Sequence, residues 1–437
     1  MDFDALARAA RGAAERANVP GCAVGLLSGD EERTAAFGVT SVEHPLEVDP
    51  DTLFQTGSIT KTFTGTVAMQ LVEERLLDLD APVRTYLPDF RVADDETASR
   101  VTTRHLLTHM PGWIGDYFDD TGRGEDALAL MVRRLAELPQ VVPLDTIFTY
   151  NNAGFYVAGH VLEVVGGAPF EQLVRERLLQ PLGLEHSFFF PEEVMTHRFA
   201  VGHHAPGEGP VVARPWELPR AANPAGGLTS TVGDLLRYAR FQLGGEPGWL
   251  ARMREQQFEI REGESMGITW ILREVDGVQL FGHDGGTNGQ VARLLVAPEA
   301  GEALAVLTNS SRGSEVTREV TRAFLARFGV QEREPVALDA GPSRLAEYAG
   351  RYVSHLIDID VTLAGPRLVT QMTSKGGFPR PDSPPMPAPP PVPIALADGD
   401  IGFVPEGPFR GERVEFLRDE TGRIAWLRDG VRLYKRA

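Results

Sequence analysis

Apolar residues recur at helical spacing, then at strand spacing, then at helical spacing again along the first three quarters of the chain. Residues 2–17 predict an amphipathic helix. Two strands follow over 19–27 and 33–39, joined by the turn Ser28-Gly29-Asp30. Thr56-Gly57-Ser58 opens a long helix to about Leu77, with Phe63, Val67, Leu71 and Val72 on its apolar face. Residues 78–225 mix loops with helical stretches at 126–138, 154–165 and 169–179. A further helix at 231–243 carries Asp234 in its first turn. From about 266 the period shortens to that of strands, at 268–272, 278–281, 291–297 and 303–309. A closing helix spans 314–328. This order predicts an α/β (α+β) fold, one antiparallel sheet flanked by helices with a helical subdomain, over 1–330.

A compositional shift at 331–342 reads as a linker. Residues 343–437 then alternate in short strands, at 350–353, 358–363, 367–372, 401–403, 413–417, 424–427 and 431–434. Turns such as Ala364-Gly365-Pro366 and Asp429-Gly430 separate them, which predicts a small all-β barrel or sandwich. Residues 379–393 hold nine prolines in fifteen positions, a polyproline-like excursion that cannot be a strand. It reads as a surface loop or as an arm over a binding cleft. On this reading the C-terminal domain shapes access and contributes no catalytic residue.

The 437 residues exceed what one core holds, since cores stop growing near roughly 250–300 residues. Hydrophobic content of 42% and charged content of 24% are those of a globular protein. A net charge of −18 argues against nucleic acid and anionic membranes as partners. A small molecule or peptide fits better, and the number of subunits is left open. The N-terminal residues lack the pattern of a signal peptide, and no window approaches ~18 uncharged apolar residues, so a cytoplasmic location is expected. Cys22 lies in an apolar run and reads as a buried structural thiol.

One bias changes the picture. The chain has three lysines, Lys61, Lys375 and Lys435, against forty arginines. Arginine is always protonated, whereas lysine can be desolvated into a neutral base. A lysine retained in such a chain calls for a chemical reason. Lys61 lies three residues after Ser58 at the start of a helix, so ammonium and hydroxyl share a face. The helix N-terminus favours a serine alkoxide and an uncharged lysine. A second element, Tyr150-Asn151-Asn152, precedes an apolar helix. A third, Gly282-His283-Asp284-Gly285-Gly286-Thr287, ends a strand in glycines that let a substrate lie along its edge. His105 and His109 are four apart, as metal ligands can be, but no third ligand suggests itself, and no cofactor or metal is expected. His203 and His204 are expected in solvent.

These three elements, in this order, resemble the serine β-lactamase and penicillin-binding-protein superfamily, in its class C-like branch of esterases, D-aminopeptidases and DD-peptidases. The resemblance covers about residues 5–330. It extends to His105-Leu106-Leu107-Thr108-His109, Gln180-Pro181-Leu182-Gly183-Leu184 and Ala225-Gly226-Gly227-Leu228-Thr229-Ser230-Thr231. It implies Ser58 as acylated nucleophile and Lys61 and Tyr150 as acid–base groups. Asn152, His283, Gly285, Gly286 and Thr287 would bind substrate, with the N–H groups of Ser58 and Gly286 as oxyanion hole. His283 stands where class C β-lactamases have lysine, which turns the expectation from antibiotic hydrolysis toward esterases and peptidases. More weakly, Leu345-Ala346-Glu347-Tyr348-Ala349-Gly350-Arg351-Tyr352 resembles the entry strand of the lipocalin-like domains appended to some members. The resemblance implies a serine hydrolase or acyltransferase acting on peptide amides or esters with a D-residue at the acyl position. A broad carboxylesterase, a penicillin-binding-protein-type thioesterase that cyclises peptides, and an inactive scaffold are the alternatives.

Overall fold

The computed structural model describes residues 3–205, 207, 209–245, 247–331, 335–407 and 410–437. Helix α1 (Phe3–Arg16) leads into strands β1 (Gly21–Ser28) and β2 (Glu31–Gly38), and α2 (Thr60–Glu73) follows a short 3-10 turn at Gly57–Ile59. After α3 (Asn152–Gly166) and α4 (Val232–Leu243) come β3 (Phe258–Arg261), β4 (Glu264–Met266), β5 (Ile271–Val275), β6 (Val278–Gly286), β7 (Val291–Ala297), β8 (Glu302–Thr308) and α5 (Gly313–Leu325). These strands form one antiparallel sheet in the order β2-β1-β8-β7-β6-β5-β4-β3. Its central strands are apolar on both faces because both faces are covered. Leu6, Ala10 and Ala13 of α1 and Val320 and Phe324 of α5 share a core with Val24, Leu26, Leu304 and Val306. On α4, Val232 and Leu236 come so near that a Cβ on Gly25 would sit 2.7 Å from Val232 and 2.8 Å from Leu236.

The C-terminal part runs α6 (Pro342–Tyr348), β9 (Gly350–Val353), β10 (Ile357–Ala364), β11 (Arg367–Ser374), β12 (Val392–Ala397), β13 (Ile401–Phe403), β14 (Arg413–Arg418), β15 (Ile424–Asp429) and β16 (Arg432–Arg436). Among the described residues these eight strands pair in sequence order, and β9 closes the barrel on β16 through Tyr352↔Arg436 and Val353↔Lys435. Tyr348, Tyr352, Leu368, Phe416 and Leu427 fill its interior.

The chain divides into two compact units. The first comprises residues 1–108, 120–137 and 154–331. The second joins the barrel to two earlier stretches, 109–119 and 138–153. One bond inside the second unit illustrates the tie, with the Tyr150 N–H donating to the Val431 carbonyl at 3.1 Å.

Several expectations need correction. The segment read as the barrel's entry strand is helix α6 up to Tyr348, with a strand only from Gly350, because Pro342 at the first helical position presets the helix. Strand β12 is not expected from the sequence because Pro393 lies in it. Proline is tolerated near the start of a strand, and Pro393 pairs with Val369. The proline-rich stretch is exposed over 384–391, as the surface-loop reading expects, and is tethered where Gln371 Nε2 donates to the Pro389 carbonyl at 2.8 Å. Within the expected linker, residues 332–334 lie outside the described residues. His203 is fully buried rather than solvated, its ring bonded to the Asn309 carbonyl at 2.7 Å and accepting the Val42 N–H at 3.2 Å. Cys22 is fully buried, and burial pushes its thiol up to about 12. No described helix is long and apolar enough to cross a membrane.

Candidate active site

Backbone geometry sets up the first part of the site. Gly57 has φ +53, the left-handed region in which glycine carries no Cβ penalty. This turn presses against the end of β6. A Cβ on Gly57 would lie 2.6 Å from the Gly286 nitrogen, and one on Gly285 would lie 1.8 Å from the Thr56 carbonyl oxygen. Only a glycine pair permits that approach, and it brings the Ser58 amide to 3.2 Å from the Gly285 Cβ position. The N–H-bearing backbone of Ser58 and the Gly285-Gly286 edge therefore border one spot.

Ser58 is the one residue between 52 and 69 that solvent reaches in part; its neighbours are buried. Lys61, one turn on, is fully buried. Its Nζ lies 3.0 Å from Ser58 Oγ and donates to the Ala225 carbonyl at 2.6 Å. The Phe155 ring covers it at 5.1 Å. The Ala225 carbonyl is positioned in turn by a buried network, in which Glu171 accepts from Asn223 Nδ2 at 2.7 Å and from both sides of the Arg220 fork at 3.1 and 3.0 Å.

His283 is 2% exposed, and its Nδ1 meets the Asp284 carbonyl at 2.6 Å. Burial, then Lys61, pushes its pKa from 6.5 down to about 4, so the imidazole is neutral at pH 7. Asp284 is held far below the usual carboxylate range, against the cost of burial, by the Arg293 fork at 2.6 and 2.8 Å. Asp284 and Arg293 face each other across β6 and β7 and fix the strand beside His283. Thr287 Oγ1 is buried with no protein hydrogen-bond partner among the described residues.

A pH dependence follows from His283. The unfolded histidine binds a proton from about pH 6.5 downward and the folded one only near pH 4. Stability is therefore full above about 6.5 and is lost as pH falls through that window. Between pH 7 and 5 the native protein should lose roughly 2 kcal/mol more stability than a His283→Gln variant, as read from urea unfolding. Equal losses in the two proteins would contradict a neutral buried imidazole.

The other predicted residues lie in the second unit. Tyr150 is 6% exposed and stacks on the His109 ring at 4.3 Å, while the Arg432 guanidinium stands 5.3 Å from the Tyr150 ring centre. Asn152 opens α3 and donates from Nδ2 to Asp116 Oδ1 at 2.7 Å. Asp116 also accepts from Arg432 Nε at 2.6 Å and from Nη2 at 3.4 Å. The loop can curl this tightly because Gly115 has no side chain; its Cβ would fall 2.1 Å from the Tyr150 carbonyl oxygen. The Asn151 N–H donates to His109 Nδ1 at 2.9 Å, so His109 supports this loop, and His105 caps its own helix through Thr102. Asp116 and Arg432 are the residues that sequence reasoning missed. Nothing singles out one arginine among forty, and Asp116 sits in no motif.

Residues 6–327 match the Beta-lactamase family. "Penicillin-binding protein 4" of Amycolatopsis lactamdurans is 36% identical over 355 residues, covering 77% of this chain and 93% of that protein. The crystal structure of SurE superposes with a TM-score of 0.75 at 24% identity, covering 99% of each chain, barrel included. A D-stereospecific amidohydrolase from Streptomyces sp. superposes with a TM-score of 0.61 at 26% identity, over 72% of this chain and 97% of that one.

Proposed function

Because this chain belongs to the Beta-lactamase family, we propose that it is a serine hydrolase or acyltransferase that works through an acyl-enzyme on Ser58. Its substrates on this reading are peptide amides or esters with a D-residue at the acyl position. The single observation that carries the proposal is the partly exposed Ser58 hydroxyl held 3.0 Å from the nitrogen of a buried lysine. Lys61 and Tyr150 take the Ser58 proton as Oγ bonds to the acyl carbon. The N–H groups of Ser58 and Gly286 stabilise the oxyanion, where one donor is typically worth ~10²–10³ in rate. Collapse expels the amine or alkoxide, which takes its proton from Tyr150. Water or an amine then attacks the acyl ester and regenerates Ser58. Asn152, His283, Gly285 and Thr287 hold the substrate beside the strand edge.

The D-preference rests on likeness to the D-stereospecific amidohydrolase. D- and L-phenylalanine amides, a p-nitrophenyl ester and a peptidyl thioester assayed side by side test it. Faster turnover of the D-amide than of the L-amide is expected. Turnover confined to simple esters would make the enzyme a broad carboxylesterase, and turnover confined to the thioester with ring closure would make it a cyclase.

A neutral His283 gives a β-lactam carboxylate no cation at the position where class C β-lactamases have lysine. Nitrocefin should therefore be turned over slowly or not at all, although Ser58 can be acylated. Efficient nitrocefin hydrolysis would contradict this role for His283.

A further inference from the structure

The two lysines that the hydrolase reading leaves unused lie in one place. A cavity of about 350 Å³ within the second unit is lined by Lys375 and Lys435 of the barrel and also by Tyr150 and Asp116. Its lining carries three cations, Lys375, Lys435 and Arg432, and one anion, Asp116, in a chain whose net charge is −18. The sign of the charge is thus inverted locally. His355, also in the lining, is pushed below its ordinary pKa by burial and by Lys375, and contributes no charge at pH 7.

The charges are not equivalent. Arg432 is committed to Asp116. Lys375 is held by Asp358 at 2.8 Å and by the Ser354 carbonyl, and Asp358 is shared with Arg351. Lys435 is exposed and makes no ion pair among the described residues. Gln140, also in the lining, is held in place by its backbone partners. Its Nε2 donates to the carbonyls of Pro111 and Val142, while its Oε1 is buried with no partner among the described residues. The cavity therefore offers a cation, with the Tyr150 ring in its wall.

From this arrangement we infer that the barrel builds a subsite for a substrate carboxylate, with Lys435 as its binding cation and Lys375 and Arg432 as the fixed positive wall. The inference rests on the proposed role of Tyr150, because the subsite shares its wall with that residue. It also accounts for a lysine rather than an arginine at position 435. A flexible ammonium follows a mobile carboxylate as a point charge, where the planar arginine fork requires fixed geometry.

The scarcity of lysine supplies the experiment. Reductive ¹³C-methylation keeps the lysine charge and labels the exposed side chains of Lys375 and Lys435 and the N-terminus, while Lys61 is buried from the reagent. Substitution Lys435→Arg assigns the Lys435 resonance. Titration with N-acetylglycine at constant ionic strength should shift that resonance saturably, and N-acetylglycinamide should not. Equal shifts with both compounds, or none with either, would overturn the subsite. This readout needs no turnover, so it stands apart from the fate of the hydrolase reading. In a second test, the ratio of kcat/KM for a p-nitrophenyl glutarate monoester over p-nitrophenyl pentanoate should fall about 3- to 10-fold in Lys435→Glu, the scale of a partly solvated ion pair reversed. An unchanged ratio would remove Lys435 from substrate recognition.

Discussion

Lys61→Arg is expected to slow acylation of Ser58 by at least ~100-fold, the low end of what a general base contributes. Arginine keeps a positive charge in nearly the same place but does not give up its proton near neutral pH. If Lys61 acted only as a fixed charge, the variant would retain most of its rate. The site also leaves little room for a larger head group. Lys61 Nζ is fully buried, lies 3.0 Å from Ser58 Oγ, and is held by the Ala225 carbonyl at 2.6 Å beneath the Phe155 ring. A guanidinium is planar and wider, so the variant's melting temperature must be measured with its rate. A folded Lys61→Arg protein within a few-fold of the wild-type rate would remove Lys61 from proton transfer.

Arg432→Ala should lower kcat/KM on a simple ester by about 10- to 100-fold, the range of a lost charge-assisted hydrogen bond. Arg432 belongs to the barrel, yet it pairs with the Asp116 carboxylate that anchors Asn152, and its guanidinium faces the Tyr150 ring. Removing it frees Asp116 and loosens the loop that carries Tyr150 and Asn152. Since the Arg432 side chain is 43% exposed, solvent screens the pair, and global stability should change little. A positioning role moves kcat more than KM and is partly restored by Arg432→Lys, which keeps the ion pair but not the planar contact with the ring. Kinetics within twofold of wild type would show that the barrel leaves the Tyr150 loop alone.

The helix that carries Ser58 and Lys61 is legible in the sequence because their spacing is local. Ser58 and Lys61 are three residues apart, and one helical turn brings them together whatever the rest of the chain does. Strands β7, β8 and β14 were legible from alternation or continuous apolarity bounded by turns. Strand β5 was misplaced because the short strands before it, β3 and β4, have mixed polar and apolar residues with no clear period. Asp116 and Arg432 could not have been found in the same way. They are 316 residues apart, and their pairing depends on how the last barrel hairpin meets the loop at 109–119. The same applies to the clustering of Lys375 and Lys435. The lysine bias marked both residues as unusual, but only closure of β9 on β16, which pairs Val353 with Lys435, shows that they line one cavity.

The claim on which the rest depends is that Ser58 is the acylated nucleophile. Reaction with a fluorophosphonate, followed by intact-protein mass spectrometry and peptide mapping, tests it most directly. One adduct per chain is predicted, located on the peptide that contains Ser58 and absent from Ser58→Ala. A native protein that takes up no adduct, or a Ser58→Ala protein that is labelled as fast as wild type, would contradict the account.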